Sequence, residues 1–208
     1  MSKLLLSPQG IATMTLSPEN ISALETTGCC VFQFPQDSKL YLTAHSYLDH
    51  LVDTDGFQTA KIGRAETEQT NLEIRNDELY WLDANRENDH NLWQELATLG
   101  SQLKKEFRVA LSAQEFFFAR YSVGGRYHRH LDQHASSAAR LFTLLIYFNE
   151  NRSTSDGGLL KLTNLQSQNM EVLPTARVGV LFRSDLIEHE VTENHSPRLS
   201  LCGWYRQF

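Results

Sequence analysis

The apolar positions of this chain follow two periods, helical in its first half and mostly alternating in its second. Two sets have the three- and four-residue spacing of an amphipathic helix: Leu40, Ala44, Tyr47, Leu48 and Leu51, and then Leu92, Leu96, Leu99, Leu103 and Phe107. Asp89 or Asn91 is placed to cap the second of these helices. A shorter helix is predicted after Ser17, which is followed by a proline, and it should end at Gly28.

Short runs bounded by turn-forming residues predict strands over most of the remaining chain. The predicted strands cover residues 11–16, 29–34, 60–63, 72–82, 115–123, 126–131, 140–148, 158–163, 169–173, 177–182, 187–192 and 198–206. Helices followed by many short strands indicate an α+β domain built on a sandwich or barrel, with the helices against one face of a sheet. We expect one domain over residues 1–208, in which residues 1–110 support a core formed by residues 111–208.

The composition indicates which binding partners and which cellular compartment to expect. The chain has 208 residues, 41% of them hydrophobic and 21% charged, and a net charge of −6, which argues against a nucleic-acid-binding surface as its main function. Its N-terminal apolar run is too short for a signal peptide, and no run approaches the ~20 apolar residues of a membrane helix. The three cysteines, two of them adjacent, form no disulfide framework. We therefore expect a cytoplasmic protein with no nucleic-acid or membrane partner.

Candidate metal ligands lie in the second half of the chain. His130 and Asp132 are two residues apart, and on an extended strand they point to the same side. His189 can supply a third ligand from a later strand. Two imidazoles and one carboxylate on one face leave the opposite positions open, which suits non-haem Fe(II). The alternative is a zinc cluster of His128, His130 and His134, although zinc usually prefers a closed tetrahedral set.

A candidate anion site follows the last of these ligands. Arg198 lies nine residues after His189, and alternation places it on one face of the last strand with Ser200, Cys202 and Trp204. An arginine on such an inward face needs an anion, and its guanidinium can bind a carboxylate with two parallel hydrogen bonds. The alternative is a structural ion pair with a buried Asp or Glu.

The order His-x-Asp, distal His and then Arg resembles the Fe(II)/2-oxoglutarate-dependent oxygenases, and in particular their prolyl hydroxylase branch, which includes the HIF prolyl hydroxylases and their bacterial relatives. The similarity runs from about Leu24 to the last strand. It includes two longer stretches, from Ile74 to Trp81 and from Tyr121 to Asp132. It also includes Arg140 and four short segments, residues 146–149, 157–160, 182–185 and 204–205. Asn76 departs from the family pattern, which usually has Gly at this position, and Cys202 stands where the family often has Thr. The loop from Asp132 to Arg140 is short.

The resemblance implies a double-stranded β-helix, or jelly roll, core buttressed by the N-terminal helices. It implies that His130, Asp132 and His189 bind Fe(II) and that Arg198 and Tyr147 bind the distal carboxylate of 2-oxoglutarate, with Tyr121 near its metal-bound end. O2 is then the second co-substrate, and ascorbate is a candidate reductant. The implied substrate-binding residues are Arg140, Trp204, Tyr127, Arg75 and Asp77.

Two of these roles have structural alternatives. Tyr147 is otherwise a core aromatic residue whose hydroxyl bonds the backbone. Arg75 and Asp77, which border the predicted polar loop over residues 64–71, otherwise form a local ion pair that shapes this loop.

The function that the resemblance implies is a peptidyl-prolyl 4-hydroxylase-like dioxygenase. It would hydroxylate a prolyl residue in a protein or peptide substrate and release succinate and CO2. An oxygenase of the same class that acts on a free amino acid or small molecule is the first alternative. A jelly-roll binding protein or oxygen sensor with a vestigial site is another, and a cupin-like metalloenzyme without 2-oxoglutarate is a third. The sequence gives no indication of the oligomeric state.

Overall fold

The structure is a computed structural model that describes residues 15–54, 56–59, 77–133 and 139–207. Its three helices are α1 (Pro18–Thr27), α2 (Lys39–Thr54) and α3 (His90–Glu106). The strands are β1 (Cys29–Gln33), β2 (Gln58–Thr59), β3 (Asp77–Trp81), β4 (Leu111–Tyr121), β5 (Tyr127–His130), β6 (Arg140–Tyr147), β7 (Leu160–Thr163), β8 (Asn169–Val172), β9 (Val178–Arg183), β10 (His189–Val191) and β11 (Arg198–Gln207).

The helix boundaries follow from local chemistry, as predicted. The Ser17 hydroxyl accepts a hydrogen bond from the Asn20 amide at 3.3 Å, and Gly28 ends α1 with a left-handed φ of 76°. Asp89 does precede α3, but its side chain makes no capping bond to the helix. Its carboxylate instead accepts hydrogen bonds from the Asp83 amide at 2.6 Å and from Arg86 at 3.0 Å, so Asp89 holds the turn between β3 and α3.

The strands pair into two antiparallel sheets. A seven-stranded sheet has the order β1-β9-β6-β11-β4-β3-β2, and a four-stranded sheet has the order β5-β10-β7-β8. Strands β4 to β11 supply four strands to each sheet, which is the eight-stranded jelly-roll arrangement. The fold class inferred from the sequence, an α+β double-stranded β-helix, is confirmed.

Apolar clusters lie on both faces of the larger sheet. The outer face packs against the helices, and that core includes Leu48, Leu96, Ile146, Leu201 and Tyr205. The inner face packs against the smaller sheet, and its core includes Leu145, Leu160, Leu162, Val180 and Phe182. The helices therefore support the larger sheet from behind and leave its inner face to form the site.

Several strand predictions differ from the structure. Residues 11–14 and 60–63 lie outside the described residues, and Thr15 and Leu16 are not in a strand. Strand β4 begins at Leu111, earlier than predicted, because its first residues pair with the end of β11, where Gln207 lies opposite Leu111. In the part of the chain that the structure describes, no helix has both the length and the apolar character needed to span a bilayer.

Candidate active site

His130 and His189 face each other across two paired strands of the smaller sheet. His130 ends β5 and His189 begins β10, and the two residues are direct partners in the antiparallel register. Their ring centroids are 4.3 Å apart. Strand pairing therefore brings together two imidazoles that are far apart in the sequence.

Backbone carbonyl groups fix the orientation of both imidazoles. The Nδ1 atom of His130 lies 2.7 Å from the carbonyl oxygen of His128, and Nδ1 of His189 lies 3.3 Å from that of Ile187. A carbonyl can only accept, so each Nδ1 carries the proton. Each Nε2 then presents a lone pair, which is the form of histidine that binds a metal ion.

Asp132 completes the cluster just beyond the end of β5. Its Oδ1 lies 3.4 Å from Nε2 of His130, and its Oδ2 lies 3.6 Å from Nε2 of His189. The hydroxyl of Thr143 in β6 donates to Oδ2 at 2.7 Å and lies 2.7 Å from the Ser184 hydroxyl. Asp132 is 6% exposed, so this side chain is oriented by the larger sheet before any ligand binds.

The electrostatics favour a cation at this cluster. Burial raises the pKa of the Asp132 carboxyl, but the imidazoles of His189 and His130 outweigh it and hold that pKa well below its usual range. Burial lowers the pKa of His189 to about 4, although Asp132 opposes the shift. At neutral pH the cluster therefore presents an ionised carboxylate and a neutral His189, which are the protonation states of metal ligands.

The residues present fit a bound metal ion. The ligand atoms of His130, Asp132 and His189 all lie within 4.8 Å of one another, and among the described residues this is the only such group of three. His128 is exposed and does not join it, and His134 lies outside the described residues. The structure thus assembles the three predicted ligands and gives no support to the zinc cluster.

Arg198 occupies a buried position at the start of β11. It is 1% exposed, and its guanidinium carbon lies 5.1 Å from the ring centroid of Tyr121 and 4.9 Å from that of Tyr147. Nη1 donates to the Ser200 hydroxyl at 3.3 Å, whereas Nε and Nη2 have no acceptor among the residues that the structure describes. The alternative of a structural ion pair with a buried carboxylate therefore finds no partner there.

The hydroxyl of Tyr147 is a second buried group without a partner within the described ranges. Burial raises the pKa of Tyr147 to about 12, although the nearby Arg198 charge opposes the shift. The tyrosine is therefore a neutral donor beside a buried cation. An unpaired hydroxyl and two unpaired guanidinium nitrogens in one pocket match the two oxygens of a carboxylate.

Three of the predicted substrate-binding residues also lie close to the metal ligands. The Tyr127 ring stacks on the His130 ring with centroids 3.8 Å apart. The Arg140 guanidinium carbon lies 3.4 Å from the ring centroid of Trp204. Arg140 donates to the Asp132 carbonyl at 3.0 Å and pairs with Glu115 at 3.5 Å, so it is held in place by the protein itself.

The two predicted loop residues are only partly described. Asp77 begins β3 opposite Tyr121 in the register and is 1% exposed. Arg75 lies outside the described residues, so the choice between an ion pair and a substrate contact stays open.

Sequence reasoning missed three residues of this region. Thr143 and Ser184 orient Asp132, and Trp81, which is 47% exposed, extends the aromatic surface outward from Trp204 at a ring separation of 6.2 Å. A signal for Thr143 was available, because it is the polar residue within the apolar run from Leu141 to Phe148. A buried polar residue in such a run often serves a site.

Comparison with known proteins agrees with this geometry. The family model of the 2OG-Fe(II) oxygenase superfamily matches residues 116–206. A search of curated protein sequences finds no match.

Several solved structures are similar to the chain. A Pseudomonas putida prolyl-4-hydroxylase has 25% sequence identity and a TM-score of 0.78, over 91% of this chain and 98% of that one. A prolyl hydroxylase from Trichoplax adhaerens, in complex with a hypoxia inducible factor oxygen degradation domain peptide fragment, has 22% identity and a TM-score of 0.76, over 90% and 87% of the two chains. A Phytophthora capsici prolyl 4-hydroxylase has 21% identity and a TM-score of 0.69, over 91% of this chain and 62% of that one.

The His-Asp-His cluster, the Arg198 and Tyr147 donors that have no acceptor among the described residues, the jelly roll and the matching family model all agree. Residues 116–206 match the family model of the 2OG-Fe(II) oxygenase superfamily, and the fold of the chain is similar to that of the Pseudomonas putida prolyl-4-hydroxylase.

Proposed function

We propose that this protein is an Fe(II)- and 2-oxoglutarate-dependent dioxygenase that hydroxylates a prolyl residue in a protein or peptide, with release of succinate and CO2. The observation that carries the proposal is the presence of two features in one jelly roll. One is the cluster of His130, Asp132 and His189. The other is the pair Arg198 and Tyr147, in which Nε, Nη2 and the phenol hydroxyl lack acceptors among the described residues.

The three clustered side chains would hold Fe(II) on one face. The carbonyls behind the imidazoles set their tautomers in advance, and Thr143 orients Asp132. When bound, the metal supplies the oxygen chemistry that couples decarboxylation of 2-oxoglutarate to insertion of one oxygen atom into a substrate C–H bond. The protein contributes orientation and exclusion of water.

Arg198 and Tyr147 would bind the distal carboxylate of 2-oxoglutarate. Two guanidinium nitrogens, Nε and Nη2, supply N–H donors that have no acceptor among the described residues, and the phenol supplies an O–H donor. Both groups are buried, so a bound carboxylate would replace the hydration that they lost on folding. With its far end fixed, the 2-oxo acid end of the molecule is directed toward the metal ligands.

The peptide would approach along an aromatic surface beside the cluster. Trp204, held against Arg140, lies at its inner end, and Trp81 lies exposed at its outer end. Large flat rings suit an extended peptide and a prolyl ring, since they give contact area at low entropic cost. The likeness to prolyl hydroxylases, one of them solved with a peptide fragment, supports this substrate class over a free amino acid.

The first test is an anaerobic titration of the purified protein with Fe(II) and 2-oxoglutarate, followed by the visible metal-to-ligand charge-transfer band. We expect the band in the wild type, its loss in His189→Ala, and a need for much more 2-oxoglutarate in Arg198→Ala. Glu171→Ala, an exposed change in β8, is the control. Wild-type protein that binds Fe(II) but gives no band at any 2-oxoglutarate concentration would refute the co-substrate assignment.

The substrate class needs a second measurement. Proline-containing peptides are incubated with the enzyme, Fe(II), 2-oxoglutarate and O2, and the products are analysed by mass spectrometry. We expect a gain of one oxygen atom on a prolyl residue and stoichiometric succinate. Oxidation of a free amino acid with no peptide turnover would favour the small-molecule alternative.

A further inference from the structure

Three loops meet where β11 begins, formed by residues 122–125, 153–158 and 193–197, and we call this meeting point the loop junction. Asn194 links two of them, because its carbonyl accepts from the Gly124 amide at 2.7 Å and its side-chain amide donates to the Gly125 carbonyl at 2.7 Å. The third loop approaches so closely that a Cβ atom on Gly158 would lie 2.0 Å from the Asn194 side-chain oxygen. The junction is therefore tightly packed around Asn194.

Arg152 bonds two of these loops at the junction. Its Nη1 donates to the Pro197 carbonyl at 2.6 Å and to the Ser196 hydroxyl at 3.0 Å. Its Nη2 donates to the Asn194 side-chain oxygen at 3.1 Å and to the Asp156 carbonyl at 3.2 Å. One side chain thus fixes the segment immediately before Arg198.

None of these contacts is an ion pair, although the charge of the nearby Asp156 carboxylate partly offsets that of Arg152. All the acceptors of its hydrogen bonds are neutral carbonyl, amide or hydroxyl oxygens. The Asp156 carboxylate instead accepts hydrogen bonds from Ser153 and Ser196. The Nε atom of Arg152 is buried and, within the described residues, has no acceptor.

Arg152 and Arg198 are electrostatically coupled. Burial and then the Arg198 charge lower the pKa of the Arg152 guanidinium, while the Asp156 charge opposes the shift. Two cations that repel each other are stabilised together by an anion near both, because the attraction acts over several ångströms where water is excluded. The anion expected there is the distal carboxylate that Arg198 and Tyr147 would bind.

We propose that Arg152 is a positioning residue for the distal carboxylate of the 2-oxo acid. It fixes the Ser196–Pro197 segment that leads into Arg198, and its positive charge adds to the attraction of Arg198 for that carboxylate. The inference rests on the proposed function. It assigns a determinant of co-substrate affinity to a side chain outside the metal cluster and outside the arginine–tyrosine pair.

The test compares two ligands that differ only at the far end. 2-Oxoglutarate and 2-oxobutanoate share the 2-oxo acid end, but only the first has a distal carboxylate. Dissociation constants of both are measured from the anaerobic Fe(II) charge-transfer band in wild type, Arg152→Gln, Arg152→Lys and Lys104→Gln. The last makes the same charge change on the exposed face of α3 and is the matched control.

We expect Arg152→Gln to weaken 2-oxoglutarate binding roughly tenfold while the affinities for 2-oxobutanoate and for Fe(II) stay unchanged. Arg152→Lys keeps the charge but loses the forked hydrogen bonds, so its loss should fall between wild type and Arg152→Gln. Lys104→Gln should behave as wild type. A purely structural role would weaken both ligands equally, and that result, or no change in either ligand, overturns the proposal.

The outcomes separate this inference from the proposed function. A wild type that binds Fe(II) without a band for 2-oxoglutarate refutes the proposed function itself. The other outcome is a wild type that gives the band together with an Arg152→Gln variant whose ratio of 2-oxoglutarate to 2-oxobutanoate affinity equals that of the wild type. That result refutes only the role of Arg152. If Arg152→Gln does not fold, Arg152→Lys carries the comparison: a loss confined to 2-oxoglutarate supports the role, and an equal loss for both ligands refutes it.

Discussion

At the scale of single residues, the site depends on side chains that do not themselves touch a ligand. Thr143 is buried on an apolar strand, and its hydroxyl is shared between Asp132 and Ser184. The Nδ1 atoms of both histidines are similarly occupied by backbone carbonyls. Each of the three proposed metal ligands therefore has a partner behind it that fixes its orientation, and for the histidines that partner also fixes the tautomer.

The first residue-level prediction is that Thr143→Val weakens metal binding. Valine has nearly the same shape, but it removes the donor to Oδ2 of Asp132, so the carboxylate loses its orientation. Loss of such a supporting bond typically costs about 10–100-fold in metal affinity. The measurement is an anaerobic Fe(II) titration of the purified variant.

Thr143→Ser is the matched control for this change. It retains the hydroxyl and should bind Fe(II) nearly as well as the wild type. Equal metal affinity in Thr143→Val and in the wild type would show that the Thr143–Asp132 bond does not support the site.

The residue types of the site could be predicted from the sequence, but their partners could not. The spacing of His130 and Asp132 and the later Arg198 were sufficient to propose a metal and a carboxylate site. The backbone carbonyls behind the histidines leave no signature in residue types, since every residue has one. The role of Arg152 was also missed, because it depends on contacts with residues more than forty positions later in the chain.

At the scale of elements, capping residues and apolar periodicity predicted most of the helices and strands in the described residues. The register between paired strands, in contrast, is known only from the assembled sheets. Ser17, Pro18 and Gly28 marked the bounds of α1 because caps act within one turn of the helix. The pairing of His189 with His130 joins strands separated by most of the jelly roll. Alternation indicates which face a residue occupies, but it does not say which distant residue lies opposite.

The contact between α3 and β11 gives a prediction about packing. A glycine inside a helix normally costs about 1 kcal/mol relative to alanine, so Gly100→Ala would ordinarily stabilise α3. Here the added Cβ would lie 2.7 Å from Cε1 of the buried Tyr205 ring. That ring is fixed by a hydrogen bond from its hydroxyl to the Leu96 carbonyl at 2.8 Å, so it cannot easily move aside.

We therefore expect Gly100→Ala to lower the free energy of unfolding by about 1–3 kcal/mol, the usual cost of overpacking. The measurement is equilibrium denaturation in urea. Ser101→Ala, an exposed change on the same helix, should be neutral or slightly stabilising. A stabilised Gly100→Ala would mean that helix propensity outweighs the contact with Tyr205.

At the scale of the whole molecule, the elements that stabilise the larger sheet and the elements that form the candidate site lie on opposite faces of that sheet. The helices occupy the outer face of the larger sheet, while the smaller sheet and the inner face of the larger one supply the candidate site. His130 and His189 come from the smaller sheet, and Thr143 and Arg198 come from the larger. Loss of the sandwich would therefore separate the ligands, so the stability of the fold and the protonation of the site are linked.

That link predicts how stability depends on pH in the metal-free protein. The pKa of His189 is lowered to about 4 in the folded state by burial, from an ordinary value of 6.5. Between these two values the unfolded chain binds a proton that the folded protein does not. The free energy of unfolding should therefore fall by up to a few kcal/mol as the pH drops from 6.5 toward 4, and this contribution is fully present above pH 6.5.

The measurement is urea denaturation in the presence of EDTA at several pH values across this window. Other groups also titrate, so the contribution of His189 is the difference in slope between the wild type and His189→Asn. His50→Asn removes an exposed imidazole from α2 and should keep the wild-type slope. We expect the slope in His189→Asn to be shallower, because asparagine does not titrate. Equal slopes in all three proteins would mean that His189 takes up its proton in the folded state as readily as in the unfolded chain. The burial of the His189 ring against Phe182, at a ring separation of 4.7 Å, argues against that outcome.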